Sequence, residues 1–381
     1  MRVLIAMDSF KGNMSSLDVA GIVEKGIRRV FKSDVYVDKV AIADGGEGTV
    51  DAIVNAHGGQ FVTAEVTGPL GEKVAARYGI ILGKTAIIEM AEASGLYLIP
   101  DDRRDPLKTT TFGVGELILD AIGRGCTKIV MGIGGSATND GGAGMAAALG
   151  VRFLTKEGRE PGFGGGPLAQ LDRIDASGLE QSLAGIEFLV ACDVNNPLYG
   201  EKGASRVFGP QKGASPEMVE ILDKNLEHYA ELIKRDLNKD VGSIPGSGAA
   251  GGLGGGLMAF CNAKLSKGID IVLDEININE RISHSDVVIT GEGRIDGQTA
   301  HGKVPVGVAA RAKMYGKPVF AIAGFIDKGA ELVYEHGIDS VMSSMVGPLS
   351  LDEAIKQSPR LIEEASERLF RVIGAFWKPN P

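Results

Sequence analysis

The stretch VMGIGGSATNDGGAGMAAALG, residues 130–150, sets the reading of the whole chain. An apolar run of strand type breaks into a glycine-rich loop carrying Ser136, Thr138, Asn139 and Asp140, and an alanine-rich helical pattern follows at once. Strand, loop and helix in that order form the repeating unit of α/β folds. The loop gathers hydroxyls, an amide and an acid where the helix starts and its first N–H groups lack helical partners. Such a junction is either a tight turn or a ligand site.

The same order recurs on both sides. RVLIAMD, residues 2–8, reads as a buried strand, and Ser15 or Ser16 can cap a helix whose apolar positions Val19, Ile22, Val23, Ile27 and Val30 fall at helical spacing. VDKVAIADGGEGTVDAIV, residues 37–54, gives a short strand, an acidic glycine loop and a helix. From Phe61 to Met90 the segments alternate around GPLG and LGK, which suggests an antiparallel meander. EFLVACDVNNPLYG supplies another strand ending in polar residues, and Ser215 with Pro216 opens a long amphipathic helix. In the last third, SDVVITGEG, PVFAIAG and SVMSSM alternate with helical segments, and a Ser350–Glu353 capping box starts the final helix. The expected architecture is a Rossmann-like, doubly wound parallel-sheet α/β domain, residues 1–60 with 280–381. A second, different α/β domain, residues 61–279, interrupts it.

Composition bounds the function. A chain of 381 residues exceeds one ordinary core. Hydrophobic residues at 44% and charged residues at 23% indicate a globular protein, and the 55 glycines imply many tight turns and close backbone approaches. A net charge of −9 with no basic stripe argues against nucleic acid or an anionic membrane surface as partner. Cys126, Cys192 and Cys261 lie far apart among apolar residues and read as reduced thiols. With neither a secretory leader nor a membrane-length apolar run in sight, the expected location is the cytoplasm.

Several familiar patterns lead nowhere. GSGAAG, residues 246–251, fits the dinucleotide fingerprint literally but follows the polar segment NKDVGSIP instead of a strand. GIILGKT, residues 79–85, is one residue short of a phosphate loop and reads as a hairpin turn. H-E-x-x-H, C-x-x-C and G-x-S-x-G do not occur.

What remains is a set of loops at the C-terminal ends of strands, where open α/β sheets collect ligands. MDSFKG offers Asp8, Ser9 and Lys11; ADGGEG offers Asp44 and Glu47; GGSATND offers the four polar residues named above; ACDVNN offers Asp193 and Asn195; TGEGRID offers Glu292, Arg294 and Asp296. Glycine loops at helix N-termini bind phosphate oxygens, and Mg²⁺ reconciles phosphate with nearby carboxylates. Lys11 and Arg294 add positive charge that can clamp a transferring group or a substrate carboxylate. The combination points to phosphoryl transfer, in which the protein positions donor and acceptor, neutralises charge and excludes water.

MDSFKG, ADGGEGT, GIGGSATNDGGAGM and TGEGRIDGQTAHGK, in this order along essentially the whole chain, resemble the motifs of the glycerate kinase family. The resemblance implies ATP- and Mg²⁺-dependent phosphorylation of D-glycerate, mainly to 2-phosphoglycerate, by two dissimilar α/β domains with the active site in the cleft between them. From the chemistry of the loops, Lys11, Arg294 and Asp193 are the expected catalytic residues. Asp8, Ser9, Asp44, Glu47 and Asn195 are the expected substrate contacts. Gly134, Gly135, Ser136, Thr138, Asn139, Gly141 and Gly291 are the expected nucleotide contacts, and Asp193 and Asp296 the expected Mg²⁺ ligands or base. Two other readings stay open on sequence alone: an NAD(P)-dependent hydroxy-acid oxidoreductase, and a non-catalytic protein that binds a small organic acid.

Overall fold

The computed structural model describes residues 1–10, 12–43, 48–179 and 183–377. Backbone contacts divide the chain into two compact units, Met1–Asp44 with Ile269–Pro381, and Gly45–Gly268. The strands of the described residues, in chain order, are β1 (Arg2–Met7), β2 (Tyr36–Ala41), β3 (Gln60–Thr67), β4 (Lys73–Ile81), β5 (Thr85–Glu89), β6 (Lys128–Gly132), β7 (Arg152–Leu154), β8 (Arg173–Asp175), β9 (Glu187–Ala191), β10 (Lys264–Ser266), β11 (Val287–Ile295), β12 (Val319–Ile326) and β13 (Ser340–Ser343).

The first unit is a parallel sheet in the order β13-β12-β11-β1-β2. Taken in chain order within this sheet, its strands run 2-1-3-4-5, a common doubly wound order whose switch point lies between β1 and β11. β1 is a run of apolar residues because both faces are covered. One cover is the helix Ser16–Phe31, whose Ser15 side chain accepts from Asp18 N–H and whose Val19, Val23 and Ile27 are buried. The other partner in this layer is the capped helix Leu351–Phe376. The two helices meet at Gly26, where a Cβ would lie 2.4 Å from the Glu363 carbonyl oxygen, so only glycine permits the contact. Ser366 Oγ donates to the Val23 carbonyl at 2.8 Å across the same contact.

The second unit carries a mixed sheet, β10-β9-β6-β5-β4-β3. β3, β4 and β5 form the expected antiparallel meander, and β5, β6, β9 and β10 run parallel. GIILGKT is the β4–β5 hairpin, with Leu82 and Gly83 at positive φ as a tight primed turn requires. The helix Thr49–His57, grouped with the first domain by the sequence pattern, packs instead on β4 and β5 of this unit. Its Val50 and Val54 fill the space over Gly79, where a Cβ would stand 2.1 Å from Val54. The helices Phe112–Gly123, Ala143–Ala148, Pro216–Leu237 and Leu253–Cys261 also belong to the unit, and β7 pairs antiparallel with β8. No described helix is long and apolar enough to cross a membrane.

Candidate functional site

In the second unit the loops after β5, β6 and β9 emerge from one sheet edge, because Glu89 is in register with Gly132 and Gly132 with Ala191. The glycine loop after β6 divides into two parts. Gly134 and Gly135 are exposed; Gly135 has φ +72°, its carbonyl accepts from Leu96 N–H at 2.8 Å, and Ser136 bridges Gly95. From Thr138 to Gly142 the loop is buried. Asn139 Nδ2 donates to Ser205 Oγ at 2.9 Å, and the Thr138 carbonyl accepts from Lys212 Nζ at 2.7 Å. A Cβ at Gly141 would stand 2.5 Å from the Tyr229 ring. Thr138, Asn139 and Gly141, expected to touch the nucleotide, therefore face the interior of the unit; Gly134 and Gly135 are exposed, and Ser136 beside them is buried.

Asp140 holds the bend. Its carboxylate accepts from Thr111 N at 2.8 Å, Thr111 Oγ1 at 2.9 Å, Gly142 N at 3.1 Å and Gly144 N at 3.2 Å. Burial pushes this carboxyl up from its ordinary value while the four donors oppose that rise. Burial likewise draws Lys212 down to about 7, with Asp140 opposing the fall. On the neighbouring strands, Glu89 accepts from Val50 N–H at the start of the helix Thr49–His57, and burial raises its carboxyl too. Asp193 and Asn195 are exposed just past β9, and Asp193 Oδ1 accepts from Gly268 N–H at 3.0 Å.

In the first unit, β1 ends at the switch point while its neighbour β11 runs on to Ile295. Met7 is in register with Gly291, and Asp8 N–H donates to the Gly291 carbonyl at 2.9 Å. Asp8 is buried with Oδ1 accepting from Ser9 N–H at 2.7 Å, and Ser9 is half-buried. Gly291, expected at the nucleotide, lies buried inside β11 at φ +155°, and a Cβ there would stand 1.9 Å from the Ile322 carbonyl oxygen. Strand packing, not ligand access, accounts for that glycine. Arg294 is 61% exposed at the side chain and ion-paired with Asp296 at 3.0 Å and Asp327 at 3.1 Å. Asp296 also accepts from Gln298 N–H at 2.8 Å, so its carboxylate is committed to positioning.

Glu292 is the residue that motif reading underrated. Its side chain is buried, Thr299 Oγ1 donates to it at 2.7 Å, and Lys303 Nζ stands 3.4 Å away. Burial pushes this carboxyl up, against the lowering by Thr299 and Lys303. Its signal was the sequence TGEGRIDGQTAHGK, with a hydroxyl seven positions and an ammonium eleven positions later. His301 is exposed in the short turn Thr299–His301. Lys11, Asp44 and Glu47 lie outside the described residues. GSGAAG follows no strand; Gly251 and Gly252 pack on the backbone of Thr138 and Gly141 instead.

Residues 3–374 match the model of the glycerate kinase family. The chain belongs to that family. It is 54% identical to a protein of Escherichia coli K12 named glycerate 2-kinase, over 97% of both chains. It is 52% identical to a glycerate kinase of Halalkalibacterium halodurans, over 96% of this chain and 97% of that one. The crystal structure of a candidate glycerate kinase 2 from Salmonella typhimurium LT2 superimposes with a TM-score of 0.90 at 49% identity, over 98% of each chain. These likenesses support the kinase reading of the loops and lend nothing to the oxidoreductase or the non-catalytic binder.

Proposed function

We propose that this chain transfers the γ-phosphoryl group of ATP to a hydroxyl of D-glycerate, giving ADP and mainly 2-phosphoglycerate. The observation that carries the reading is 54% identity, end to end, with a protein named glycerate 2-kinase. The phosphates of ATP meet segment 134–136, where two exposed glycines let donors approach without side chains in the way. Thr138, Asn139 and Asp140 act from beneath by fixing the bend. Arg294 holds the carboxylate of glycerate, its guanidinium oriented by Asp296 and Asp327. Ser9 and Asp8, beside Gly291, and Asn195 complete the substrate contacts, and Lys11, Asp44 and Glu47 keep the roles their sequence setting suggests.

Asp193 suits a Mg²⁺ that rides on the nucleotide. Mg²⁺ takes one or two carboxylates together with phosphate oxygens, and Asp193 is an exposed carboxylate just past β9, the strand paired with the one that leads into the glycine loop. Among the described residues no group of three or more His, Cys, Asp or Glu side chains is placed to hold a metal ion. When bound, the ion neutralises charge on the transferring group. Glu292 accepts the proton of the attacking hydroxyl, since burial brings its pKa towards the range in which a carboxylate works as base. Free Cys126, Cys192 and Cys261 fit a cytoplasmic setting, in which thiols stay reduced.

A coupled assay for ADP release tests the proposal, with D-glycerate, L-glycerate and no acceptor as arms. ADP formation that depends on D-glycerate is expected. ADP release indifferent to the acceptor, or none with any divalent metal, would refute it.

A further inference from the structure

The second unit buries a lysine for which packing alone gives no reason. Lys212 ends the 3-10 turn Pro210–Lys212, is 2% exposed, and donates through Nζ to the Thr138 carbonyl at 2.7 Å. An ammonium removed from water loses its hydration, and a methionine would fill similar volume without that penalty. What the ammonium adds is a fixed point on the loop. The same carbonyl is confined on another side by Gly251, where a Cβ would stand 1.9 Å from it, and Gly141 N–H donates to the Gly251 carbonyl at 3.0 Å. Asp140, whose charge opposes that of Lys212, ties the far end of the bend to Thr111, Gly142 and Gly144. The buried half of the loop is thus clamped from below while Gly134 and Gly135 stay exposed.

We propose that Lys212 is a positioning residue for ATP: by holding the Thr138 carbonyl it keeps segment 134–136 in the geometry that receives the phosphates. The inference rests on reading that segment as the phosphate site. Lys212 touches neither ATP nor glycerate; it acts through the loop, and a neutral side chain of the same length leaves the loop's second half without its anchor. The effect falls on ATP and not on glycerate.

Steady-state kinetics of the full-length enzyme with Lys212→Met tests this, together with hydrogen exchange of the 134–142 amides in the ligand-free protein. The expected result is a KM for ATP raised tenfold or more, a KM for glycerate changed less than twofold, and faster exchange in the loop. Lys212→Gln, which keeps a donor, is expected to recover part of the ATP KM; it also serves if Lys212→Met does not fold. An ATP KM within twofold of wild type with unchanged exchange overturns the proposal. So does an equal rise in both KM values with a lower unfolding midpoint, the mark of a merely destabilised unit. Wild-type protein that turns over no ATP would sink the phosphate-site reading instead, and the exchange comparison would still decide whether Lys212 holds the loop.

Discussion

Replacing Asp140 by asparagine isolates what holds the glycine loop in its bend. The carboxylate accepts four hydrogen bonds at 2.8 to 3.2 Å in a buried setting. An asparagine carbonyl can accept about two of them, and its NH₂ group then faces donors, leaving two buried donors unpaired. Each loss is of order 1–3 kcal/mol, and relief of the buried charge offsets part of it, for a net destabilisation of about 3 kcal/mol. Equilibrium urea unfolding followed by circular dichroism would read this as a midpoint lowered by about 1 M, given a slope of roughly 2–3 kcal/mol/M. The ATP KM should rise with it, because the bend carries segment 134–136. A midpoint within about 0.2 M of wild type would refute the reasoning, since it would mean that the four bonds contribute almost nothing net.

Three further outcomes follow from the same geometry. Lys212 has a folded pKa of about 7 and an ordinary value of 10.5 unfolded, so the unfolded chain binds more protons between those values and the penalty of burial fades as pH rises. Wild type should therefore gain stability relative to Lys212→Met by up to about 1.4 kcal/mol per pH unit from pH 7.5 to 9.5, measured by urea unfolding. Gly251→Ala places a Cβ against the Thr138 carbonyl at φ +66°; a loss of about 2–3 kcal/mol in thermal unfolding and a raised ATP KM are expected. Glu292→Gln should lower kcat by roughly 10²–10⁴ with little change in fold, and should abolish the acid limb of the pH–rate profile, on which wild-type activity falls as the raised carboxyl takes up its proton.

Much of the fold was legible because its signals are local. The capping residues Ser15, Ser215 and Ser350 mark helix starts that the structure keeps, and the alternating and continuous apolar runs separate the antiparallel meander from the parallel strands. The packing of the helix Thr49–His57 on β4 is not legible in the sequence, because its partner, Gly79, carries no local sign of the contact. The loops at strand ends were found by their glycine and acid content, yet residue type does not say which way a side chain points. Thr138 and Asn139 turn inward owing to Ser205, Lys212 and Gly251, all at least 66 positions away in sequence. Lys212 itself, in GPQKG, looks like a surface lysine on a turn, and Gly291 looks like a loop glycine although β11 continues through it to Ile295.

Phosphorus NMR of the purified protein with ATP, Mg²⁺ and D-glycerate tests the central claim most directly. The account predicts a new phosphomonoester signal split by a single methine proton, as 2-phosphoglycerate requires, growing in step with ADP. A signal split by two methylene protons would move the transfer to the other hydroxyl, and inorganic phosphate as the sole new species would contradict the claim that this chain phosphorylates glycerate.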